Sequence, residues 1–434
     1  MAQTPLEFFS QERFQGFKPG FARTQALLDA LGNPEKKLKY VHVAGTNGKG
    51  SVSACISAIL TRAGYRTGLY TSPYVVAWNE RIQVCGEYIS DKDLEEAVSV
   101  IRPIAEAMED APTQFEVETA LALWYFAHVS CDIAVLEVGM GGEWDSTNVI
   151  PAPEAAVLCA IGLDHTGVLG STLGEIARVK SGIIKPGCAV AAYGSGEEAD
   201  RVIENRCAVL GCPLKKPDFS ALKNLRPGLE GCRFDYGEYR DLFVPLAGTY
   251  QPRNAALAVT AAELLAGRGF SITVTDIREG LAAVRWPGRF EVLRRDPIFI
   301  LDGSHNPHGM TATAESLRTY FGGRKLWFVV GVMADKDVTG IADLLGPLAA
   351  GFAAVEPPNP RAMKPDALAD LLRQETGVPA IPFTTIPGGV NWALNRAERT
   401  GAAAAALGSL YFSSQVRKAV EDWSFSRLPS GSLS

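Results

Sequence analysis

A glycine-rich segment carrying one lysine is the strongest local chemical signal in the chain. It reads Gly45-Thr-Asn-Gly-Lys-Gly-Ser51 and follows an apolar, strand-like run. Backbone N–H groups of such a turn, together with the following helix N-terminus, can bind phosphate, and the lysine adds a mobile positive charge. The usual phosphate-loop pattern would place glycine at Val43 and a hydroxyl residue at Gly50, whereas here the hydroxyl comes at Ser51. A tight strand-to-helix turn would explain the glycines alone, but Lys49 between two glycines favours nucleotide binding.

Polar side chains follow three further apolar runs. Glu137 ends one run, His165 follows another within Leu-Asp-His-Thr-Gly, and Ser72 follows a third. The carboxyl ends of parallel strands meet at one edge of a sheet, so these groups should lie beside the phosphate loop. Carboxylate and hydroxyl oxygens suit Mg²⁺ when phosphate oxygens complete its shell. A solvated or helix-capping glutamate and an ordinary loop histidine are the alternatives.

The elements that must position these residues alternate between strand and helix. Nearly continuous apolar strands separated by helices predict a parallel sheet covered on both faces. The predicted strands are Tyr40–Ala44, Thr67–Tyr70, Asp132–Val138, Ala155–Ile161 and Ala189–Ala192. The predicted helices are Ser51–Ala63, Asp91–Met108, Val117–Val129, Leu173–Ser181 and, later, Asn254–Leu265. Short, turn-rich β segments are expected over Leu214–Leu246.

A second alternation begins after Arg285-Trp-Pro-Gly-Arg-Phe-Glu. The predicted elements are strands Ile298–Leu301, Leu326–Val332 and Phe352–Glu356, helix Met310–Tyr320 and a late strand near Ser409–Phe412. The boundary is placed near residues 288–297. The chain is divided into a larger domain, residues 1–290, and a smaller one, residues 291–434.

Composition limits the classes of partner. The 434 residues carry 42 Lys and Arg against 48 Asp and Glu, a formal net charge of −6, which argues against nucleic acid or an anionic membrane. No apolar run reaches the roughly 18–20 residues that span a bilayer, and the first residues lack a signal-peptide pattern. The eight cysteines form no C-x-x-C pair, so reduced thiols in a cytoplasmic protein are expected.

Several of these motifs together resemble one family. The segment Gly45–Ser51 resembles the phosphate loop of the Mur ligase superfamily, in the form of its folylpolyglutamate synthase/dihydrofolate synthase branch. Further similar motifs are Glu137-Val-Gly-Met-Gly-Gly, Leu163-Asp-His-Thr, Thr71-Ser-Pro with Asn79-Glu-Arg-Ile, Asp302-Gly-Ser-His-Asn-Pro, Asp335-Lys-Asp and Gly408-Ser-Leu-Tyr-Phe. The resemblance covers almost the whole chain. It implies an α/β fold: a P-loop, Mur-ligase-like large domain with a parallel-rich sheet, plus a smaller Rossmann-like C-terminal domain.

The resemblance assigns roles at the phosphate end. ATP contacts are implied for Asn47, Gly48, Lys49, Gly50, Ser51, Asn254, Arg289 and Asp302, and catalytic roles for Lys49, Lys180 and His305. Magnesium roles, with two Mg²⁺ ions, are implied for Ser72, Glu137, His165 and Lys180, and a monovalent cation such as K⁺ is a further expectation. Lys180 is implied to be N-carboxylated, while Lys185 lies outside the site. Alternatives remain: an exposed helix lysine at 180, a linker salt bridge at Arg289 and a turn-closing Asp302.

The resemblance also implies a pterin pocket. Its expected residues are Pro19, Gly20, Phe21 and Ala22, then Phe115, Glu116, Val117 and Glu118, and finally Trp144, Asp145 and Ser146. An aromatic plane with carboxylates suits a flat heterocycle bearing N–H donors, although core packing would explain Phe115 equally well. The chain departs from the family pattern at Tyr74, Glu143, Trp144 and Tyr250. Of the remaining histidines, His42 and His128 are interpreted as structural and His308 is undecided.

The implied reaction is ATP-dependent amide formation through an acyl phosphate. It would join L-glutamate to dihydropteroate, giving dihydrofolate, and to the γ-carboxylates of reduced folates, releasing ADP and phosphate. A cytoplasmic monomer with small-molecule partners is expected. The alternatives are a single-activity folylpolyglutamate synthase, another Mur-type amino-acid ligase and a non-catalytic nucleotide switch. A peptidoglycan Mur ligase would add an N-terminal UDP-binding domain, yet only about 40 residues precede the loop.

Overall fold

The computed structural model describes residues 4–425, which form two α/β domains. The helices are Pro5–Phe9 (α1), Ala22–Ala30 (α2), Lys49–Arg62 (α3), Asp91–Ala107 (α4), Gln114–His128 (α5), Thr166–Leu169 (α6), Leu173–Lys180 (α7), Glu197–Leu210 (α8), Gln251–Gly267 (α9), Val274–Ala283 (α10), Pro307–Phe321 (α11), Val338–Leu345 (α12), Pro365–Thr376 (α13), Ile386–Thr400 (α14) and Ser413–Phe425 (α15). The strands are Lys39–Ala44 (β1), Thr67–Tyr70 (β2), Ile82–Val84 (β3), Glu87–Tyr88 (β4), Ile133–Glu137 (β5), Ala155–Leu158 (β6), Ala189–Ala192 (β7), Leu214–Lys215 (β8), Leu222–Gly228 (β9), Gly231–Tyr236 (β10), Tyr239–Val244 (β11), Glu291–Arg295 (β12), Ile298–Leu301 (β13), Leu326–Val330 (β14), Ala349–Ala354 (β15), Ala380–Pro382 (β16) and Ala404–Leu407 (β17).

The larger domain is built on a mixed, mostly parallel sheet. Its strand order is β4-β3-β2-β5-β1-β6-β7-β8. Six neighbouring strands, β2, β5, β1, β6, β7 and β8, run parallel to one another. Strands β3 and β4 add an antiparallel edge beside β2. The predicted parallel sheet is therefore confirmed, and the antiparallel edge is an addition that the sequence analysis did not predict. The turn-rich segment forms a separate antiparallel sheet, β11-β10-β9, as expected.

Alternating side chains of the central strands explain why both faces are covered. On β5, Ile133 and Val135 join a core with α3, α9, α10 and the small sheet. Ala134 and Leu136 point the other way, into a core formed with α1, α2, α4 and α5. A further core on α7 and α8 covers the β6–β7 side. Because successive strand residues face opposite sides, a sheet buried on both faces needs the uninterrupted apolar strands seen in the sequence.

The smaller domain repeats the same plan. Its sheet has the order β12-β13-β17-β14-β15-β16, in which only the β12–β13 pair is antiparallel. Helices α11, α12 and α13 cover one face, and α14 and α15 cover the other.

The late strand was predicted in the wrong place. It is Ala404–Leu407 rather than Ser409–Phe412, and it lies in the middle of the sheet between β13 and β14. A run of alanines has high helix propensity, so its sequence alone does not indicate a strand. Central position and burial on both faces decide the strand instead, and residues 409–412 form the turn into α15.

Four helices, α3, α5, α9 and α11, begin two or three residues earlier than predicted. Helix α3 begins at Lys49 rather than Ser51, directly after Gly48 in a left-handed conformation. Helix α5 begins at Gln114 rather than Val117, since Thr113 and Glu116 form a capping box. Among the described residues no helix is long and apolar enough to cross a membrane. All eight cysteines are free, and Cys85 is the exposed one.

We expect Gly68→Ala to destabilise the larger domain by about 1–3 kcal/mol through overpacking. A methyl group added on β2 would lie 2.8 Å from the buried ring of Phe126, which has nowhere to move. Urea unfolding followed by circular dichroism measures the change. Gly267→Ala is the matched control, because its added methyl meets no atom within 4 Å and should not destabilise. Equal midpoints for Gly68→Ala and the parent protein would contradict the packing argument.

Candidate active site between the domains

A cavity of about 460 Å³ lies where the carboxyl ends of the first sheet face the smaller domain. The loops after β1, β2, β5 and β6 supply one wall, and the turns after β13 and β14 supply the other. Ligands of open α/β sheets bind at this edge, where the strands end and their loops diverge. The residues that line it come from the phosphate loop, the polar strand ends and both sides of the domain junction.

The glycines of the phosphate loop are required by close packing. Gly48 has φ of 87°, and a Cβ there would lie 2.8 Å from Oδ1 of Asn254. At Gly50 a Cβ would lie 2.6 Å from the Trp286 ring. The loop therefore rests on the start of α9 and on the segment leading to the second domain, with its backbone N–H groups on the cavity side of α3. Asn254 and the segment before Arg289 are thus held close to the loop.

Two lysines meet at one carbonyl oxygen of that loop. Lys49 Nζ donates to the carbonyl of Gly45 at 3.2 Å and to that of Thr46 at 3.4 Å. Lys180 Nζ donates to the same Gly45 carbonyl at 2.9 Å. Lys180 is buried, and burial, followed by the charge of Lys49, lowers its pKa to about 7. Burial beside Lys49 therefore favours the neutral amine of Lys180 over its charged form.

The predicted metal ligands line the same cavity but do not form a closed cage. Glu137 is buried at the end of β5, and its Oε2 accepts the N–H of Ser72 at 3.3 Å. Burial raises the pKa of Glu137, against the opposing effect of the charges on Lys49 and Arg289. His165, in the left-handed region, lines the cavity as well, and burial lowers its pKa. Within residues 4–425 no three His, Cys, Asp or Glu side chains lie close enough to hold a metal ion.

The donor set nevertheless suits a hard cation that arrives with a nucleotide. Mg²⁺ keeps several waters and usually takes only one or two protein carboxylates, with substrate phosphates supplying other oxygens. A buried carboxylate beside a serine and a phosphate loop matches that requirement. A preformed cage of three acidic or imidazole ligands would not be needed.

Arg289, at the domain junction, and His305, in the second domain, complete this part of the cavity wall. Arg289 lines the cavity, and a Cβ at Gly303 would lie 3.2 Å from its guanidinium, so the glycine leaves room for it. His305 donates from Nδ1 to the carbonyl of Gly303 at 2.9 Å. Its Nε2 lies 3.7 Å from Oδ2 of Asp164, and burial lowers the pKa of His305.

Asp302 does not reach the cavity wall, contrary to the predicted ATP contact. Its Oδ2 accepts the N–H of Phe290 at 2.7 Å and the hydroxyl of Tyr250 at 3.2 Å. Its Oδ1 accepts the N–H of Ser304 at 2.9 Å and the hydroxyl of Thr313 at 2.9 Å. The structure thus favours the turn-closing alternative, in which Asp302 shapes the loop that carries His305. Tyr250, which departs from the family pattern, is part of this arrangement.

Asp164 is a site residue that the sequence analysis missed. Its Oδ1 accepts from Lys336 Nζ at 3.0 Å and its Oδ2 accepts from Asn306 Nδ2 at 2.8 Å, so it joins the two domains. Burial alone would raise the pKa of Asp164, but His165, Asn306 and Lys336 together lower it well below its usual range. Its neighbour His165 and the Asp335-Lys-Asp motif both stand out in the sequence, but no sequence pattern indicates that Asp164 and Lys336 are in contact.

An amide pair reinforces this junction. Asn47 and Asn306 exchange hydrogen bonds of 3.2 Å in each direction. Asn47 Nδ2 also donates to Nδ1 of His308 at 2.8 Å, which places that undecided histidine on the cavity wall. Ser51 is buried but lines the cavity, and its hydroxyl accepts from Gln251 at 3.4 Å.

Only part of the predicted pterin pocket faces the cavity. Phe115, Trp144, Asp145 and Ser146 line it. Glu116, Val117 and Glu118 do not, because successive residues of α5 point in different directions. Instead Val117 is fully buried in the core, Glu116 pairs with Arg23 at 2.9 Å and Glu118 pairs with Arg81 at 3.1 Å. Arg81 itself lines the cavity and was not predicted as a site residue.

The N-terminal contribution is shifted along the chain. Gly16, Phe17 and Lys18 line the cavity, whereas the expected residues Pro19, Gly20, Phe21 and Ala22 do not. Lys18 pairs with Asp110 at 3.0 Å, and helix α2 begins at Ala22. The pterin contact expected of residues 19–22 therefore stays a prediction, and residues 16–18 are the N-terminal residues on the cavity wall.

The departures at Tyr74, Glu143 and Trp144 lie at or beside cavity-lining residues, since Tyr74 follows Pro73 and Glu143 precedes Trp144. Glu143 pairs with Arg178 at 3.2 Å, and the Arg178 guanidinium lies 6.0 Å from the centre of the Trp144 ring. The Arg81 guanidinium lies 5.3 Å from the Tyr74 ring, which is half exposed. Both changed aromatic residues are thus accompanied by an arginine.

Comparison with known proteins identifies the family. The Mur ligase middle-domain model matches residues 43–262, and the Mur ligase glutamate ligase domain model matches residues 288–410. The chain is 40% identical over 368 residues to the folylpolyglutamate synthase of Lacticaseibacillus casei, covering 81% of this chain and 84% of the relative. The chain belongs to the Mur ligase family, in its folylpolyglutamate synthase/dihydrofolate synthase branch. As such it is an ATP-dependent acid–amino-acid ligase, which confirms the predicted family and enzyme class.

One further relative and two solved structures also match almost the whole chain. The dihydrofolate synthase/folylpolyglutamate synthase of Bacillus subtilis is 36% identical over 414 residues, covering 93% of this chain and 95% of the relative. The structure of Mycobacterium tuberculosis folylpolyglutamate synthase complexed with ADP superposes with a TM-score of 0.89 at 30% identity, covering 95% of this chain and 98% of that one. A folylpolyglutamate synthase–AMPPCP–folate complex gives 0.84 at 33% identity, covering 96% and 98%. The predicted Mur-ligase fold is confirmed.

We expect Asp164→Asn to lower kcat/KM for ATP turnover roughly 10- to 100-fold, since it leaves Lys336 without its charged partner across the junction. Lys336→Met should have a similar effect, and the double variant should be no worse than either single one. A coupled assay of phosphate release measures all three.

Lys364→Met is the matched control, because Lys364 pairs with Glu356 on the exposed surface and should leave turnover unchanged. Losses that simply multiply in the double variant would contradict the direct interaction.

Proposed function

We propose that this chain joins L-glutamate to dihydropteroate, forming dihydrofolate, and to the γ-carboxylates of reduced folates, forming polyglutamate tails. The observation that carries the proposal is a single cavity lined both by the phosphate loop and by Phe115, Trp144 and Asp145. A nucleotide and a flat heterocycle would share one space, so the γ-phosphate and the substrate carboxylate could meet. The relatives named above supply the substrate class.

The phosphate end is arranged for positive charge to surround the reacting phosphoryl group. The N–H groups of residues 47–51 and the start of α3 would bind the phosphates, and Lys49 would leave the Gly45 carbonyl to contact them. Arg289 would reach the same phosphates from the domain junction. Asn254, held against Gly48, would bind the nucleotide beside the loop. Asp302 acts by shaping the loop of His305 rather than by touching ATP.

Ser72, Glu137, His165 and Lys180 would hold two magnesium ions, with a monovalent cation such as K⁺ near the same charges. When bound, these cations neutralise the negative charge that builds up on the transferring phosphoryl group. Lys180 would serve as a carbamate: the neutral amine adds to CO₂, forming an N–C bond and releasing one proton. Its burial beside Lys49 supports this, because an anion there is better stabilised than a second ammonium group.

The reaction then proceeds by two displacements. The substrate carboxylate attacks the γ-phosphorus of ATP, ADP leaves, and an acyl phosphate forms. The amine of L-glutamate attacks the acyl carbon, phosphate leaves, and the amine loses a proton. His305, neutral because its pKa is lowered and close to Asp164, is placed to accept that proton. The protein contributes mainly position and charge neutralisation.

We further propose that residues 1–290 and 291–434 act as the two halves of this ligase, and that it works as a cytoplasmic monomer. The first strand of the second sheet begins at Glu291. Closure across Asp164, Lys336 and Asn306 would bring the two halves onto ATP. The eight free cysteines are compatible with a reducing compartment.

We expect phosphate release from ATP to require both L-glutamate and either dihydropteroate or a reduced folate monoglutamate. Mass spectrometry of the products should show dihydrofolate in the first case and added glutamyl units in the second. No stimulation by either acceptor would refute the proposed function.

A single-activity folylpolyglutamate synthase is the second candidate, favoured by the changes at Tyr74, Glu143 and Trp144 at the pterin end. Glutamyl addition to reduced folate without dihydrofolate formation would identify it. Activity with neither acceptor, together with turnover on a different acid, would indicate another Mur-type amino-acid ligase.

We expect Lys180→Ala to reduce kcat by at least about 100-fold while ATP still binds, because the variant lacks the carbamate but keeps the phosphate loop. In ¹³C-bicarbonate the parent protein should give a carbamate carbon signal that Lys180→Ala lacks.

Lys185→Met is the matched control. Lys185 is a half-buried lysine that donates to the carbonyl of Asn148 at 2.7 Å outside the cavity, so this variant should keep the signal. A carbamate signal retained in Lys180→Ala would disprove the assignment.

A further inference from the structure

A fully buried histidine stands behind the pterin end of the cavity. His42 lies on β1 with no exposed surface, and its Nε2 is 2.8 Å from the hydroxyl of Thr147. Its Nδ1 is buried and has no hydrogen-bond partner among the described residues. The sequence favours a structural role for His42, but the one polar contact of this side chain, with Thr147, leads toward the cavity.

Thr147 is in turn hydrogen-bonded to Asp145. Its hydroxyl lies 2.5 Å from Oδ1 of Asp145, and its backbone N–H donates to the same oxygen at 3.0 Å. The N–H of Met140 donates to Oδ2 of Asp145 at 2.9 Å. Asp145 is almost completely buried, yet it lines the cavity. A chain of three side chains therefore runs from the sheet core to a carboxylate at the ligand surface.

The proton positions along this chain follow from counting donors. A threonine hydroxyl has one proton, and an ionised carboxylate can only accept. If Asp145 is ionised, Thr147 must donate to it, and His42 must then donate to Thr147 from Nε2–H. Nδ1 is left as an unprotonated acceptor, which matches its lack of a partner. Burial, followed by the charge of Lys185, lowers the pKa of His42 to about 3, so the ring is neutral.

The reverse order of donors is less favourable. A protonated Asp145 would donate to Thr147, which would donate to Nε2 of His42, and the ring proton would then sit on Nδ1. That N–H would be buried without an acceptor, and orphaned buried N–H groups are rarer and costlier than orphaned acceptors. Burial raises the pKa of Asp145, but the hydroxyl of Thr147 and the backbone N–H groups of Met140 and Thr147 act against burial and favour a charged acceptor.

We propose that His42 and Thr147 are positioning residues that hold Asp145 as an oriented, ionised acceptor for the N–H donors of the pterin ring. A fixed carboxylate suits a flat heterocycle that presents neighbouring amino and ring N–H groups. This inference rests on the proposed function, because it takes the pterin as the ligand at this end of the cavity. It assigns no chemistry to His42, which never touches the substrate.

The test separates pterin binding from the rest of catalysis. Thr147→Val keeps the shape of the side chain but removes the hydroxyl, and we expect KM for dihydropteroate to rise roughly 10-fold or more with KM for ATP unchanged within about twofold. Thr147→Ser restores the hydroxyl and should restore KM. His42→Gln keeps an N–H near the Nε2 position and should act like the parent, whereas His42→Leu should resemble Thr147→Val with a smaller rise.

Thr260→Val is the matched control, because Thr260 is an equally buried threonine whose hydroxyl bonds to the carbonyl of Ala256. It should leave both KM values unchanged even if it lowers the thermal midpoint. The proposal is overturned if Thr147→Val leaves KM for dihydropteroate within twofold of the parent, or if KM for ATP rises by the same factor.

A spectroscopic measurement covers the case in which Thr147→Val or His42→Leu fails to fold. With five histidines in the chain, ¹⁵N-histidine labelling and comparison with His42→Gln assign the signal of His42. We expect a neutral Nε2–H tautomer at neutral pH, and a neutral Nδ1–H tautomer or a charged ring would overturn the proposal. If the parent protein shows no glutamate-dependent turnover with any pterin, the proposed function fails, whereas the tautomer still reports on the hydrogen-bond chain alone.

Discussion

The contact between Asp164 and the second domain is the interaction on which the assembled site depends. One carboxylate accepts from Lys336 and Asn306 at once, and it stands beside His165 and His305. Each domain carries only half of the cavity wall, so a nucleotide would be enclosed only when the two halves meet. A largely buried ion pair at that junction favours one orientation of the two domains. Losing either partner would leave a buried charge without a counter-charge.

Close packing also determines the position of the phosphate loop. Gly48 and Gly50 bring backbone against Asn254 and Trp286, where a side chain would collide. These contacts tie the loop to α9 and to the segment that enters the second domain. Phosphate binding and domain position are therefore linked by packing rather than by a separate device. Lys180, buried near the same loop, depends on this closeness for its lowered pKa.

In the part of the cavity proposed to hold the pterin, a chain of hydrogen bonds runs from the core to the cavity wall. His42, Thr147 and Asp145 form a chain in which each proton has one consistent position. The network leaves the carboxylate prearranged for a ligand, at the cost of one buried acceptor, Nδ1 of His42, that has no donor among the described residues. The changed residues Glu143 and Trp144 directly precede Asp145 in the chain.

The sequence by itself determined the alternation of strands and helices, the two-domain plan and the polar strand ends. These depend on local patterns: continuous apolar strands, glycines before a helix, and polar residues after a strand. It did not determine β17, whose alanines become a strand only because they are buried between β13 and β14. It also did not determine which residues of a motif face the cavity, as Glu116 and Glu118 show. Direction around a helix and pairing across the domain junction, as between Asp164 and Lys336, arise from long-range packing, and only the tertiary structure decides them.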